Sequence, residues 1–162
     1  MAVELYLLRH AHAGDPEAWT GKDDVRPLSP KGERQAERLG TFLARVRFRP
    51  DVILTSPKRR AAQTAEIVAG HLSLPVAVDD RLAGSLDAST VEAIALDAGD
   101  PVRLVLVGHD PDFTELVAAL SGAQNVQMRK GALARLDADR PLEAGGAALR
   151  WLVPPDLLEP KR

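Results

Sequence analysis

The chain has 162 residues, a formal net charge of −2 and 45% hydrophobic residues, which fits one globular domain of ordinary composition. Aromatic residues make up only 4% of it, so it offers few platforms for base stacking, and its net charge gives no reason to expect nucleic acid or a membrane as a partner. The absence of cysteine excludes disulfide frameworks, thiolate metal sites and cysteine nucleophiles. No signal peptide or membrane span is expected, so the expected location is the cytoplasm.

Short apolar runs alternate along the chain with longer amphipathic segments, and this alternation predicts strands packed between helices. Leucine and β-branched residues predict four early strands, at residues 3–8, 51–54, 76–78 and 102–107. Two later apolar runs, at 131–136 and 147–153, predict an antiparallel pair at one edge of the sheet, joined through a Gly-Gly turn.

The segments between these strands carry apolar residues at helical spacing. The predicted helices span 30–46 with Ser29 as N-cap, 57–71 with Ser56 as N-cap, 89–97, and a segment after His109 that ends at Gly122. The predicted fold class is α/β, a three-layer sandwich with a mostly parallel central sheet of about five or six strands and helices on both faces.

The whole chain, residues 1–162, is expected to form this one domain, with an extended tail from about residue 154. Residues 11–29 are expected to form one long loop, and long ordered loops in small domains are often functional.

Histidine and arginine side chains follow three of the predicted strands, at the point where each strand ends. Arg9 and His10 follow the first strand, Arg60 lies shortly after the second, and His109 follows the strand at 102–107. Because ligands of open α/β sheets bind beyond the carboxyl ends of the strands, we expect these side chains to converge on one site. Two arginines, a donor imidazole and a nucleophilic imidazole could hold a phosphoryl group and transfer it without a metal.

At these residues the sequence resembles the histidine phosphatase superfamily, also called phosphoglycerate mutase-like. Residues 8–11 (LRHA) are similar to its R-H-G signature, with Ala11 in place of the commoner glycine. Residues 56–65 (SPKRRAAQTA) resemble its S-P-x-x-R-A-x-Q-T-A segment, and residues 108–109 resemble its late G-H motif. The resemblance covers the chain from about residue 3 to residue 120 and implies the superfamily's α/β fold.

Within the superfamily, the likeness is to SixA-type phosphohistidine phosphatases. It rests on residues 26–29 (RPLS) and on Gly32, which match a segment found after the first loop of those proteins. The resemblance implies that Arg26 contacts the phosphate or the substrate, with Asp23 orienting its guanidinium.

The resemblance also implies a role for each residue of the main motifs. His10 would be the nucleophile that becomes phosphorylated, Arg9 and Arg60 would clamp the phosphoryl group, and His109 would be the second histidine at that group. No cofactor or metal is implied. The implied partner is a phosphorylated protein, such as one with a histidine phosphotransfer domain, or a small phosphorylated molecule.

One departure from the superfamily pattern bears on the substrate. Members that cleave phosphate esters usually carry a glutamate general acid shortly after an Arg-Leu pair, but Arg81 and Leu82 are followed by Ala-Gly-Ser at 83–85. Because a phosphohistidine nitrogen can be protonated before its bond to phosphorus breaks, the missing acid favours phosphohistidine as substrate. Asp87 and Asp110 are the alternative sources of a proton.

Three other functions compete with a phosphohistidine phosphatase. The first is a hydrolase of small phosphate monoesters, and the second is a phospholigand-binding module without activity. The third is a metal-dependent hydrolase, because His10 and His12 could place two imidazoles on one side of the chain.

The length of the chain leaves little material for a lid over the site. An open site favours access by a side chain of another protein.

Overall fold

A six-stranded sheet organises the chain, and the computed structural model describes residues 2–161. Its strands are β1 (Ala2–Arg9), β2 (Val52–Thr55), β3 (Ala77–Val78), β4 (Arg103–Gly108), β5 (Leu133–Asp139) and β6 (Ala147–Val153). In the order β3-β2-β4-β1-β5-β6, the first four strands are parallel, whereas β5 and β6 are antiparallel at one edge. The predicted mostly parallel sheet and its antiparallel pair are therefore confirmed.

The helices are α1 (Pro30–Arg45), α2 (Arg59–Leu72), α3 (Ala88–Asp97) and α4 (Asp112–Ser121). Strand β1 lies between two cores, because alternate side chains of a strand point to opposite faces. Leu5 and Leu7 pack with α3 and α4, whereas Tyr6 and Leu8 pack with α1 and α2. Burial on both faces explains why the first strand is a near-continuous apolar run, and it confirms the three-layer sandwich.

The first two helices begin differently. Ser29 caps α1 as predicted, since its side chain accepts the backbone N–H of Gly32 at 3.1 Å. Helix α2 begins at Arg59, and its N-cap position is occupied by Lys58 without a side-chain cap. The prediction that Ser56 is the N-cap of α2 is wrong, because Lys58 holds that position. The hydroxyl of Ser56 accepts the backbone N–H of Lys58 at 3.2 Å and also lies against His109.

The loop after β1 packs closely against the start of α1. It contains two short 3-10 turns, at Pro16–Ala18 and Asp23–Val25, within the segment predicted as one long loop. Gly32 makes the close approach possible, because a Cβ atom at this position would overlap the carbonyl oxygen of His12.

The tail after Pro154 is folded, whereas an extended tail was predicted. It forms a 3-10 helix at Pro155–Leu158 that contacts α1, and Pro155 itself is buried.

Within residues 2–161, no helix combines the length and apolarity that crossing a membrane requires.

Candidate active site

The carboxyl ends of β1, β2 and β4 bring the predicted site residues to one edge of the sheet. Strand β4 pairs in parallel with β1 on one side and with β2 on the other. The ladder continues past the strands, because the backbone N–H of His10 donates to the carbonyl of Gly108 at 2.9 Å. We call Arg9, His10, Arg60 and His109 the strand-end cluster.

His10 is buried and carries a defined tautomer. Its Nδ1 atom lies 2.8 Å from the carbonyl oxygen of Ala11, and because a carbonyl only accepts, Nδ1 bears the proton and Nε2 keeps its lone pair. Burial is the main cause that lowers the pKa of His10 to about 3; the hydrogen bond to Ala11 opposes it, and the charges of His109, Arg60 and Arg9 add to it. At neutral pH the ring is therefore uncharged, with a nucleophilic nitrogen free.

His109 lies beside His10, with 5.2 Å between the ring centroids. Its Nε2 atom is 2.8 Å from the hydroxyl oxygen of Ser56. When this hydroxyl donates to Nε2, the ring proton resides on Nδ1, which can then donate to a ligand. Burial lowers the pKa of His109 to about 4, with the charge of Arg60 as the next cause, so this ring is also neutral at neutral pH.

Three members of the strand-end cluster carry buried nitrogen atoms without a partner. Across residues 2–161, the buried side-chain atoms that lack a hydrogen bond are Nε of Arg9, Nε of Arg60 and Nδ1 of His109. A buried donor left unpaired costs about 1–3 kcal/mol, so three of them in one cluster indicate a ligand that accepts hydrogen bonds. Two guanidinium groups among them favour an anionic ligand.

Asp23 holds two arginines at once. Its carboxylate accepts Nε of Arg26 at 3.1 Å and Nη2 of Arg60 at 3.0 Å, and its carbonyl oxygen accepts Nη1 of Arg60 at 2.9 Å. Burial raises the pKa of Asp23, but the hydrogen bonds and charges of the two arginines outweigh this, so its pKa is lowered. The orientation of Arg26 by Asp23 is as predicted, whereas the hold on Arg60 was not predicted.

Arg26 is buried and turned toward the protein. Besides Asp23, its guanidinium donates to the carbonyl oxygen of Ala13 at 2.7 Å. These contacts fix Arg26 next to the residue that holds Arg60, and its contact with phosphate or substrate stays a prediction.

Asp110 and Asp87, the two alternative proton donors, both accept hydrogen bonds at the start of a helix. Asp110 accepts the backbone N–H of Thr114 at 3.0 Å and its hydroxyl at 2.6 Å, and one of its oxygens lies 3.5 Å from Nη1 of Arg9. Asp87 caps α3 by accepting the backbone N–H of Thr90 at 2.8 Å, and the hydrogen bonds from Thr90 lower the pKa of Asp87. Both carboxyl groups are therefore engaged in hydrogen bonds within the protein, and neither is free to serve as a proton donor.

Two buried hydroxyl groups support the cluster in ways that the sequence pattern did not predict. Ser56 orients His109, as described above. Thr64 accepts the backbone N–H of Ala11 at 3.1 Å and donates to the carbonyl of Arg60 at 2.7 Å. Both residues lie in the segment 56–65, so the motif was the available signal, although it does not reveal their partners.

The two imidazoles of the hypothetical metal site have separate partners. Nδ1 of His10 lies against the carbonyl of Ala11, and Nδ1 of His12 lies 2.6 Å from the hydroxyl oxygen of Ser29. Among the residues that the structure describes, no group of three or more His, Asp or Glu side chains has the arrangement of a metal site.

Comparisons of the sequence and the fold with known proteins show which family the chain belongs to. The model of the histidine phosphatase superfamily (branch 1) matches residues 5–85. An uncharacterised protein of Picosynechococcus is 39% identical over 125 residues, which is 75% of each chain. The structure of the protein histidine phosphatase SixA complexed with tungstate has 26% identity and a TM-score of 0.83, covering 97% of this chain and 100% of that one. The family model and the structural likeness to SixA indicate a phosphatase. The chain therefore belongs to the histidine phosphatase superfamily.

Proposed function

We propose that this protein is a metal-independent phosphatase that removes the phosphoryl group from phosphohistidine in a protein, through a covalent intermediate on His10. One observation carries the proposal: Nε of Arg9, Nε of Arg60 and Nδ1 of His109 are buried without a partner in the same strand-end cluster as His10, whose Nδ1 is bonded to Ala11 so that Nε2 keeps its lone pair. The cytoplasmic location expected from the sequence is part of the same proposal.

The first step is the transfer of the phosphoryl group to His10. The guanidinium groups of Arg9 and Arg60 and Nδ1 of His109 donate to its oxygens, which neutralises charge as the group moves. Nε2 of His10 attacks phosphorus, and the bond from phosphorus to the protonated substrate imidazole breaks. The substrate leaves as a neutral imidazole, and the positive charge passes to the ring of His10.

The hydrogen bond from His10 to Ala11 has a direct role in this step. The Nδ1–H group already points at the carbonyl of Ala11, which stabilises the positive charge that the ring gains on phosphorylation. In the second step, water attacks phosphorus and the bond to Nε2 breaks. Phosphate leaves, the excess proton passes to solvent, and His10 returns to its neutral tautomer.

The lack of a free acid supports a phosphorus–nitrogen substrate. Residues 83–85, where ester-cleaving relatives are expected to carry a glutamate, contain no carboxylate, and Asp87 and Asp110 are engaged as described above. An alkoxide leaving group needs a proton in the transition state, whereas a phosphohistidine can be protonated beforehand.

The likeness to SixA supports the same substrate. That protein is named a protein histidine phosphatase, and its structure holds tungstate, which is a tetrahedral oxyanion like phosphate. The structural match covers 97% of this chain at 26% identity.

The proposal is tested by phosphate release from two substrates, a peptide that contains phosphohistidine and an alkyl phosphate ester. We expect the peptide to be hydrolysed with a kcat/KM about a hundredfold higher, since general acid catalysis contributes roughly that factor to ester cleavage. His10→Ala should abolish turnover. His71→Ala is the matched control, because that exposed histidine pairs with Glu37 on the helices, away from the cluster.

The alternative functions give different results in the same experiment. Equal rates on the two substrates would identify a phosphate monoester hydrolase and contradict the substrate assignment. Tight binding of both substrates without turnover would identify a binding module and contradict the proposed activity.

A further inference from the structure

A positively charged groove opens beside the strand-end cluster and shares Arg9 with it. It has a volume of about 420 Å³. The charged side chains that line it are four cations and two carboxylates, namely Arg9, Lys31, Arg129, Lys130, Asp156 and Glu159. We call this feature the basic groove, and its positive sign contrasts with the net charge of −2 for the whole chain.

Three cations of the basic groove lack a carboxylate partner. Within the described part of the chain, Lys31, Arg129 and Lys130 take part in no ion pair, whereas Arg9, Arg26 and Arg60 each pair with an aspartate. Burial lowers the pKa of Lys130, and the charges of Arg9 and nearby cations lower it further. The cations that line the groove therefore repel one another, and a bound anion would reduce this repulsion.

The turn that carries Arg129 and Lys130 is fixed to the catalytic strand. The backbone N–H of Gly131 donates to the carbonyls of His10 at 2.9 Å and Arg9 at 3.1 Å. The guanidinium of Arg9 donates to the carbonyl of Met128, at 2.7 Å. Gly131 has a φ of +86°, a conformation that favours glycine. These hydrogen bonds tie the backbone of the turn, which carries Lys130, to the end of β1.

The opposite wall is fixed as well. Lys31 lies in the first turn of α1, where Gly32 packs directly on the backbone of His12. The backbone N–H of His12 in turn donates to Oε1 of Gln35 at 2.9 Å. The cations of the two walls are thus attached to elements that also position the strand-end cluster.

We propose that the basic groove is a second anion subsite, which binds carboxylate side chains that flank the phosphorylated residue of a protein substrate. The inference rests on the proposed function, because a phosphoryl group held by Arg9 places its neighbours at the groove. Asp156 and Glu159 also line the groove, so a uniform polyanion such as nucleic acid would meet repulsion there. A protein segment of mixed charge fits both signs.

The test uses two phosphohistidine peptides of equal length, one with glutamates and one with glutamines beside the phosphorylated residue. We expect the kcat/KM of the wild type to be about tenfold higher on the glutamate peptide, because the free energies of two exposed ion pairs together correspond to roughly that factor. The double variant Lys31→Gln/Lys130→Gln should lose this preference while its kcat/KM on p-nitrophenyl phosphate stays unchanged. Added salt should reduce the wild-type preference toward that of the variant.

Arg49→Gln is the matched control, since it removes one exposed cation just before β2, at the other end of the strands. It should retain the preference. A double variant that keeps the preference would overturn the proposal, and so would an equal loss on all three substrates, which would show that the lysines support the strand-end cluster itself.

Failure of the subsite and failure of the proposed function give distinct results. If the wild type hydrolyses neither peptide, the proposed function fails, and the subsite is then tested by calorimetric binding of the same peptides. A glutamate preference in binding that the double variant loses supports the subsite, and equal binding overturns it. A lysine-dependent preference for a small phosphorylated carboxylate, without one for the peptides, would overturn the assignment to a protein substrate.

Discussion

The hydroxyl oxygen of Ser56 lies 2.8 Å from Nε2 of His109, and this contact joins the end of β2 to the residue that follows β4. Both residues are buried. The contact selects the ring nitrogen of His109 that remains available to a ligand, because the hydroxyl occupies Nε2 and leaves Nδ1 without a protein partner. Ser56 therefore acts as a positioning residue.

Removing this hydroxyl should slow the reaction more than it weakens substrate binding. We expect Ser56→Ala to lower kcat roughly fivefold, which corresponds to the loss of one neutral hydrogen bond of about 1 kcal/mol, with KM nearly unchanged. Nitrogen chemical shifts of His109 should report a mixture of tautomers in this variant. Ser89→Ala, at an exposed position in α3, is the control. A variant with normal kcat and one tautomer would refute the positioning role.

The carboxylate of Asp23 should control the affinity for inorganic phosphate. Asp23→Asn removes the charge that holds Arg60 and Arg26, while the carbonyl of residue 23 can still accept Nη1 of Arg60. We expect inorganic phosphate to bind about tenfold more weakly, since one charge-assisted hydrogen bond contributes about 1.5 kcal/mol. Asp24→Asn, at the exposed neighbouring position, should bind phosphate normally. Equal affinities in the two variants would contradict this assignment.

The low pKa values of the two buried histidines predict how stability depends on pH. Burial lowers the pKa of His10 to about 3 and that of His109 to about 4, whereas an unfolded imidazole titrates near 6.5. Because the unfolded chain binds these protons at higher pH, the free energy of unfolding falls as the pH drops from about 6.5 toward 4. Above about pH 7 these groups contribute no pH dependence.

Chemical denaturation at several pH values measures this effect. The fall in unfolding free energy between pH 7 and pH 5 should be smaller in His10→Asn than in the wild type, because one of the buried imidazoles is gone. The same pH dependence in the wild type and His10→Asn would show that His10 titrates normally in the folded protein.

Two helical glycines should respond in opposite ways to alanine. Gly32→Ala should lower the free energy of unfolding by about 1–3 kcal/mol, because its Cβ would overlap the backbone of His12. Gly70→Ala in α2 has open space around the added Cβ, so it should raise the free energy of unfolding by about 0.5–1 kcal/mol. Thermal or urea denaturation distinguishes the two. A neutral Gly32→Ala variant would mean that α1 and the loop separate easily.

The sheet was predictable because its strands are buried. The continuous apolar runs of β1 and β4 mark strands covered on both faces, and their ends place Arg9, His10 and His109 on one edge by topology alone. Arg60 was placed near the same edge because it follows shortly after the end of β2.

The interactions that fix the site were less predictable, because they join residues far apart in the sequence. Arg60 and Asp23 are separated by 37 positions, and Arg9 reaches the carbonyl of Met128 across 119 positions. Neither pair carries a local pattern. Ser56 is an example. A serine before a helix is an ordinary N-cap candidate, and only the packed structure shows that its hydroxyl contacts His109.

The most direct test of the account is to trap the phosphorylated enzyme. Wild-type protein is mixed with a labelled phosphohistidine peptide in the presence of a chelator, quenched rapidly without acid and mapped by mass spectrometry. The proposed mechanism predicts a phosphoryl group on His10, with turnover unaffected by the chelator, and neither label nor turnover in His10→Ala. Turnover that persists in His10→Ala, or a phosphoryl group carried by a residue other than His10, would contradict it.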